Sequence, residues 1–278
     1  MKFVMFSKHL DMLGLSLREL GETIADIGFD GVDLTVRPGG RVEPEQVDDK
    51  LPEAVAGLAQ FGLEVPLITT SIDGPQAPYA EDIFATAAEC DIPALKLGYW
   101  TLQDPMQLWT CFEAARVKLT GLQSMALDYG VTANIHIHSG PYLSANPAVV
   151  QMLLEDMDPR AVGAYIDSGH MFIEGGYDGW RQGMVMLAPY TNLVALKGYS
   201  WAVTTDGAGK HTVQRQMLGF EEAQQDWRQI FTLLKNFGYD GTVSLHSEYG
   251  DLNRDGLVEQ TRRDLTFIKR IVTDVEAG

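Results

Sequence analysis

The chain alternates between short apolar runs and longer amphipathic stretches. Runs rich in β-branched and aliphatic residues predict eight β-strands, over about 2–6, 31–36, 64–70, 94–98, 131–138, 162–167, 192–198 and 242–248. Apolar residues at helical spacing predict amphipathic helices near 16–27, 50–61, 79–90, 105–129, 147–157, 178–188, 221–236 and 256–275. Strands that are separated by helices predict parallel βαβ units with right-handed crossovers.

A helix-to-strand corner recurs along the chain with nearly the same residues. Gly62, Gly130 and Gly238 each follow an aromatic residue at the end of a predicted helix, where a left-handed glycine commonly closes the helix. GFDG at 28–31 and GYDG at 238–241 are near copies of this corner. The repetition indicates that one structural unit is used again and again.

These units predict an α/β protein that forms a single (β/α)8 TIM barrel, as one domain over residues 1–278. The length is close to the roughly 250 residues that are typical of this barrel. A doubly wound open sheet is the alternative. It normally carries a G-x-G-x-x-G loop after its first strand, and the segment FSKHLDMLGLS at that position has none.

The charge of the chain makes some classes of binding partner improbable. Lysine and arginine total 21 against 38 aspartates and glutamates, which gives a net charge of −17 and opposes binding to nucleic acid or anionic membranes. Polar residues break the apolar run at the start of the chain, so we expect no signal peptide, and no stretch is apolar enough to predict a membrane span. Cys90 and Cys111 both fall in predicted helices, which predicts no disulfide framework and fits a reducing cytoplasm.

The histidines fall at one end of the predicted barrel. The six are His9, His136, His138, His170, His211 and His246. Each lies near or beyond the C-terminal end of a predicted strand, where TIM barrels build their active sites. Histidines scattered over a surface would not all collect there, although His9 and His211 taken singly are more simply read as hydrogen-bonded or surface residues.

Strand alternation predicts which of these side chains point into the barrel. In ANIHIHSG, His136 and His138 share one face while the isoleucines take the other. Asp167 ends the sixth predicted strand, and His246 and Glu248 share a face of the eighth. Asp33, Arg37, Lys96 and Lys197 are further candidates to point inward.

Imidazole and carboxylate groups from three strands predict a divalent metal site for Mn²⁺, Zn²⁺, Co²⁺ or Mg²⁺, and mixed nitrogen and oxygen donors favour the first three. Such an ion polarises a carbonyl, and nearby side chains can then move a proton. The candidate metal ligands are His136, Asp167, His170 and His246. The candidate catalytic residues are His136, His246, Glu248 and Lys197. The candidate substrate-binding residues are His138, Arg37, Trp100, Trp201 and His9.

The remaining motifs give weaker indications of function. Trp180 and Trp227 are expected to pack helices, and GAGKH at 207–211 predicts the flexible tip of a lid. No G-x-S-x-G, Walker or C-x-x-C pattern is present.

Three segments together resemble the xylose isomerase-like TIM-barrel superfamily, which includes sugar phosphate isomerases and epimerases and the AP endonuclease family 2 group. GFDGVDL at 28–34 is similar to the family's second strand, and DSGHMFIEGGYD at 167–178 to its D-x-x-H-x-x-x-x-G segment. MLGFEEAQQDWRQIFTLLKNFGYDGTVSL at 217–245 resembles its last helix and eighth strand. The resemblance spans essentially the whole chain and implies the same barrel.

The family usually holds one metal with a glutamate on strand 5, an aspartate on strand 6, a histidine on strand 7 and a glutamate on strand 8. The resemblance places the strand-6 ligand on Asp167 and the other three positions on His136, Ala195 and His246. Of the four usual ligands, only the aspartate is the same residue type here. His136 and His246 stand where the family has glutamates, and Ala195 has no donor atom in its side chain.

Neighbouring motif residues are kept. His138 matches the histidine of the strand-5 motif, His170 accompanies the strand-6 aspartate, Lys197 matches the strand-7 lysine, and Glu248 matches the second strand-8 glutamate. Because both carboxylates of the usual acid–base pair are replaced, histidine is the residue left to move protons near neutral pH.

The resemblance implies an isomerase or epimerase that moves a proton beside the carbonyl of a small sugar or keto-sugar, with a divalent metal. A lyase or hydrolase that acts on 3-keto-glycosides is an alternative, because the same proton abstraction begins that reaction. A second alternative is a non-catalytic, sugar-binding barrel subunit. Ala195 favours this alternative because it replaces a metal ligand with a residue that has no donor atom. The expected partner is a small-molecule sugar, and the sequence leaves open whether copies of the chain form a homo-oligomer.

Overall fold

The computed structural model describes residues 1–278. Its strands are Lys2–Phe6 (β1), Gly31–Val36 (β2), Glu64–Thr70 (β3), Ala94–Lys96 (β4), Thr132–His136 (β5), Val162–Asp167 (β6), Thr191–Leu196 (β7), Tyr199–Thr205 (β8), His211–Met217 (β9) and Thr242–Leu245 (β10). Eight of them close into a parallel barrel in the order β1-β10-β7-β6-β5-β4-β3-β2, so the predicted (β/α)8 barrel is confirmed.

Helices surround this barrel. They are Lys8–Met12 (α1), Leu17–Ile27 (α2), Val47–Ala59 (α3), Ala80–Glu89 (α4), Leu108–Tyr129 (α5), Pro147–Leu154 (α6), Ser168–Gly175 (α7), Gly179–Leu187 (α8), Trp227–Asn236 (α9) and Arg254–Ala277 (α10). None combines the length and apolarity that crossing a bilayer requires.

The predicted helix-to-strand corners are present. Gly62, Gly130 and Gly238 have φ of +73°, +68° and +71°, a region that residues with a Cβ rarely adopt. Gly31 has a different role, because a Cβ there would lie 2.3 Å from the carbonyl oxygen of Glu64 on β3. The first corner therefore needs glycine for close strand packing.

Two hydrophobic layers hold the barrel. The larger joins the outer faces of the strands to the helices, and it contains Trp180 and Trp227 as predicted. The smaller fills the barrel interior with residues that come only from strands: Val4, Leu67, Ala94, Tyr165, Leu193 and Ala195. This inner cluster forms an apolar floor inside the barrel.

The structure corrects the prediction for the segment after β7. Instead of a long loop, β8 and β9 form an antiparallel hairpin that pairs Tyr199 with Met217 and Thr205 with His211. Most of its residues are exposed, so the alternation of apolar and polar positions that marks a half-buried strand is weak there. GAGKH, at 207–211, is the turn of this hairpin and the start of β9.

The helix predicted over 221–236 begins only at Trp227. The preceding glutamines bond to the backbone of the chain after β7 instead of forming a helical turn. Gln225 Oε1 accepts from Tyr199 N at 2.9 Å, and Gln225 Nε2 donates to Lys197 O at 2.6 Å. Asp226 then caps the helix by accepting from Gln229 N.

Several strands are shorter than predicted, and two short helices were not predicted. β5 ends at His136 and β10 at Leu245, so His138, His246 and Glu248 lie just past strand ends. The helices α1 and α7 follow β1 and β6 directly, which places His9 and His170 in helices above the barrel. Both changes occur at the C-terminal end of the barrel.

Candidate active site

A cavity of about 150 Å³ opens at the C-terminal ends of the barrel strands. The residues that line it are Phe6, Lys8, Arg37, Thr69, Lys96, Tyr99, His136, His138, Tyr142, Tyr165, Lys197, His246 and Glu248. Four are lysine or arginine and one is a carboxylate, so this cavity has the opposite charge bias to the chain as a whole.

His136, Asp167 and His246 converge from β5, β6 and the end of β10. One donor atom from each lies within 4.8 Å of the others, and all three side chains are buried. His136 Nε2 is 3.2 Å from Asp167 Oδ2, while His136 Nδ1 is 2.9 Å from the hydroxyl of Tyr99. These three residues could hold a metal ion, as three of the four predicted ligands.

His246 has a nitrogen with no hydrogen-bond partner. The hydroxyl of Tyr165 donates to Asp33 Oδ2 at 3.1 Å and lies 2.9 Å from His246 Nε2. His246 Nε2 therefore has the tyrosine hydroxyl as its partner. Its Nδ1 is buried and has no partner. Such a nitrogen is what a metal ligand requires.

His170 does not belong to this group. Its Nδ1 lies 2.8 Å from Ser139 Oγ, and its Nε2 is 2.9 Å from the ammonium of Lys197. His170 is not among the three residues whose donor atoms lie within 4.8 Å of one another, although its Nε2 is 3.8 Å from Asp167 Oδ2. Its backbone N–H donates to Asp167 Oδ1 at 2.9 Å, because the aspartate caps α7.

Lys197 and Glu248 form a buried ion pair beside the three donors. Lys197 Nζ is 2.9 Å from Glu248 Oε2, and Lys8 Nζ is 2.7 Å from Glu248 Oε1. Burial disfavours the charged form of Lys197, but Asp167 and Glu248 outweigh it and raise its pKa. Burial also opposes the charge on Glu248, yet the positive charges, led by Lys197, hold its pKa far below its ordinary value. The pair is therefore ionised near neutral pH.

His138 lines the cavity with one nitrogen fixed. Its Nδ1 is 2.8 Å from the carbonyl oxygen of Ser139, so Nδ1 carries the hydrogen and Nε2 has the lone pair. Burial, reinforced by Lys197, lowers the pKa of His138 to about 4. The ring is accordingly neutral near pH 7.

The other predicted substrate-binding residues divide into two groups. Arg37 lines the cavity. Trp100 does not: it is buried, and its indole N–H donates to the carbonyl oxygen of Asp73 at 2.8 Å. Trp201, on β8, lines a separate apolar groove with Phe172 and Tyr177.

The two remaining histidines also lie outside the cavity lining. His9 is half-buried on α1, and burial lowers its pKa. His211 is exposed on β9, where its Nδ1 is 2.9 Å from the Thr205 hydroxyl. The structure does not bring either residue to the three central donors.

Sequence reasoning missed part of the cavity wall. Tyr165 lies two residues before Asp167 on β6, so the alternation that placed the aspartate inward also applies to it. Lys8 follows β1 directly and shares the strand-end position that drew attention to the histidines. Tyr142 lies in the loop after β5, and no periodic signal marks it.

The donor set fits a divalent metal with open positions. Two imidazoles and a carboxylate are three protein ligands, the number that catalytic zinc sites commonly use. The unpaired Nδ1 of His246 supports the fit, as does Tyr99, which orients His136 from behind. Ala195 is fully buried in the floor of the barrel and supplies no fourth donor.

Comparisons with known proteins agree with this fold. The family model for xylose isomerase-like TIM barrels matches residues 22–271. The chain belongs to the xylose isomerase-like TIM barrel family. A search of the curated proteins found no matching sequence.

Solved structures of this family superpose on nearly the whole chain. D-psicose 3-epimerase from Clostridium cellulolyticum H10, solved with D-tagatose, has a TM-score of 0.73 at 14% identity, covering 98% of this chain and 99% of that one. The 3-keto-D-glucoside 4-epimerase of E. coli has a TM-score of 0.69 at 15% identity, covering 97% and 99%. A family member from Mycobacterium smegmatis in complex with magnesium has a TM-score of 0.67 at 19% identity, covering 93% and 88%. At these identities the likeness shows the shared barrel fold.

Proposed function

We propose that this barrel is an enzyme of the sugar isomerase or epimerase type, which moves a proton on the carbon beside a carbonyl of a small sugar or keto-sugar. The observation that carries the proposal is the convergence of His136, Asp167 and His246 next to the ionised Lys197–Glu248 pair, at the mouth of the barrel. Two similar structures support the reaction type, since both are named as sugar epimerases and one acts on a 3-keto-D-glucoside.

In this proposal His136, Asp167 and His246 hold a divalent metal and do not carry the proton themselves. Their mixed nitrogen and oxygen donors favour Mn²⁺, Zn²⁺ or Co²⁺ over Mg²⁺. When bound, such an ion polarises the substrate carbonyl and so makes the neighbouring C–H more acidic. This role differs from the sequence-based hypothesis that His136 and His246 are acid–base catalysts.

The remaining residues of the cavity supply the charge and the proton acceptor. Lys197 is held as an ammonium by Asp167 and Glu248, and it stabilises the negative oxygen that forms when the proton leaves. His138 Nε2 has a lone pair for the proton, whereas Glu248 stays ionised between Lys8 and Lys197. The hydroxyls of Tyr99 and Tyr142 line the same wall and offer hydrogen bonds to sugar hydroxyls.

Solvent-deuterium incorporation tests this function. The protein is loaded with Mn²⁺ or Zn²⁺ and incubated in D2O with a panel of small ketoses and keto-glycosides, and the recovered sugars are analysed by NMR. We expect deuterium at a carbon beside the carbonyl of at least one sugar, and a loss of about 100-fold or more in exchange rate in Lys197→Met. Glu45→Gln, at an exposed position that does not line the cavity, is the control and should exchange like the wild type.

A second candidate function is sugar binding without turnover. Ala195 favours it, because this position supplies no metal donor and its methyl group is packed in the barrel floor. The same experiment separates the two functions. Saturable sugar binding with no deuterium incorporation in any loaded sample would replace the enzyme proposal with the binding one.

A further inference from the structure

Two cations in the cavity form no ion pair with a carboxylate of the chain. Arg37, just past β2, and Lys96, at the end of β4, both line it. The side chain of neither one makes a hydrogen bond or an ion pair within the chain, whereas Lys8 and Lys197 in the same wall both bind Glu248. Most other lysines and arginines of this acidic protein also have partners, so two unpaired cations in one small cavity are unusual.

Lys96 is the more informative of the two. Its side chain is only 3% exposed, and its ammonium lies 3.6 Å from the ring centroid of Tyr99. Burial and the nearby Arg37 lower its pKa well below the ordinary value. A buried ammonium without an ion-pair partner costs folding free energy, and an anionic ligand beside it would favour the charged form of Lys96.

No carboxylate of the protein forms an ion pair with Lys96 or Arg37, although the charge of Asp33 favours the ammonium form of Lys96. Asp33 is near, but its oxygens accept hydrogen bonds from Thr69, Tyr165 and Ser244. The Arg37 guanidinium lies 5.8 Å from the ring centroid of Phe6. Two cations thus face one nearby carboxylate, and an anionic group on the molecule that enters the cavity would balance the second charge.

We propose that Arg37 and Lys96 bind a carboxylate group of the substrate, so that the natural substrate is a small hydroxy-keto acid or sugar acid and not a neutral sugar. This inference rests on the proposed function, because it names the substrate class of the same site. A planar guanidinium matches a carboxylate with two parallel hydrogen bonds, and a lysine adds a point charge.

The size of the cavity supports a small acid. Its volume is about 150 Å³, which is about the volume that five water molecules occupy in liquid water. Pockets for drug-sized ligands begin at roughly 300 Å³. A carboxylate at Arg37 and Lys96 would leave the rest of the molecule facing the three central donors, since Lys96 and His136 both contact Tyr99. One end of the substrate would be anchored while the other end reacts.

Anion binding without metal tests this inference. The full chain is titrated in EDTA buffer with glycolate, glycerol and inorganic phosphate, and binding is followed by calorimetry and thermal shift. We expect glycolate to bind at least tenfold more tightly than glycerol, and Arg37→Met and Lys96→Met each to weaken glycolate binding about tenfold or more. Lys210→Met removes an exposed cation at the hairpin tip and should bind glycolate like the wild type.

The variants also report on folding. Lys96→Met removes an unpaired buried charge, so its unfolding temperature should equal or exceed that of the wild type, and weaker glycolate binding would then not reflect misfolding. Glycolate that binds no better than glycerol, or undiminished glycolate binding in both variants, would overturn the inference. Phosphate binding tighter than glycolate binding would overturn the carboxylate assignment. Because EDTA removes the metal, these outcomes do not bear on the proposed metal-assisted proton transfer. That proposal is tested separately by deuterium incorporation in the metal-loaded protein.

Discussion

At the scale of single residues, the site depends on which nitrogen and oxygen atoms already have partners. His170 and His246 are both buried, yet His170 has both ring nitrogens occupied while His246 keeps Nδ1 free. The D-x-x-H spacing predicted that His170 lies near Asp167, which is correct. It could not reveal that Lys197 contacts the imidazole, since that contact joins α7 to the residue that follows β7.

Removing Lys197 should cost both stability and function. In Lys197→Met, Asp167 and Glu248 lose the ammonium that lies 3.7 Å and 2.9 Å from their oxygens, and both carboxylates remain largely buried. We expect the free energy of unfolding to fall by about 3 kcal/mol, as is typical when one partner of a buried ion pair is removed. Urea denaturation measures the change, with Lys210→Met as the surface control. An unchanged midpoint would mean that the ion pair contributes nothing to folding.

At the scale of elements, helix and strand positions were largely predictable because each carries its own local signal. Asn253 is an example: its side chain accepts from the Gly256 backbone N–H at 2.9 Å and begins α10. The hairpin of β8 and β9 was not predictable in this way, because its mostly exposed faces lack periodicity. It is joined to the site by Arg215, which donates to Ser139 Oγ at 2.8 Å.

The cap at α10 gives a prediction for one element. Asn253→Ala should lower the free energy of unfolding by about 1 kcal/mol, because it leaves a helix N–H without an acceptor. Asn253→Gly should cost only a few tenths of a kcal/mol, since glycine is tolerated at this position. Denaturant titration compares the two. Equal losses in both variants would show that the side-chain hydrogen bond is not the cause.

At the scale of the whole molecule, the barrel is a direct consequence of eight repeated strand–helix units, so the sequence was sufficient to predict it. The strand-end rule also placed His136, Asp167 and His246 together. What sequence reasoning could not supply is the cross-strand pairing above the barrel floor, such as Tyr165 with His246 and Asp33. These contacts depend on stagger between distant strands, which no local pattern records.

Stability should depend on pH through the buried histidines. The pKa of His138 is lowered to about 4, and those of His136 and His170 lie well below the ordinary 6.5. Between about pH 6.5 and 4 the unfolded chain therefore binds more protons than the folded protein, so stability is lost as the pH falls through this window. The low pKa values of Asp167 and Glu248 act in the same direction at still lower pH.

Thermal unfolding in EDTA at a series of pH values measures this effect. The midpoint temperature should decline steadily from pH 7 to pH 4, and the decline should be shallower in His138→Gln, which has no imidazole to titrate. A midpoint that is constant over this range, or identical slopes in the two proteins, would show that the histidines are not held neutral by burial.

The central claim is that His136, Asp167 and His246 bind one divalent metal, and a metal titration tests it most directly. Metal-free protein is titrated with Mn²⁺ and Zn²⁺ by calorimetry, and the bound metal is then counted by elemental analysis. We predict about one equivalent in the wild type and in His211→Ala, with stabilisation of about 2.7 kcal/mol at 100 times the dissociation constant, and at least a 100-fold loss of affinity in His246→Ala. Less than about 0.1 equivalent bound to the wild type, with no thermal shift, would contradict the claim.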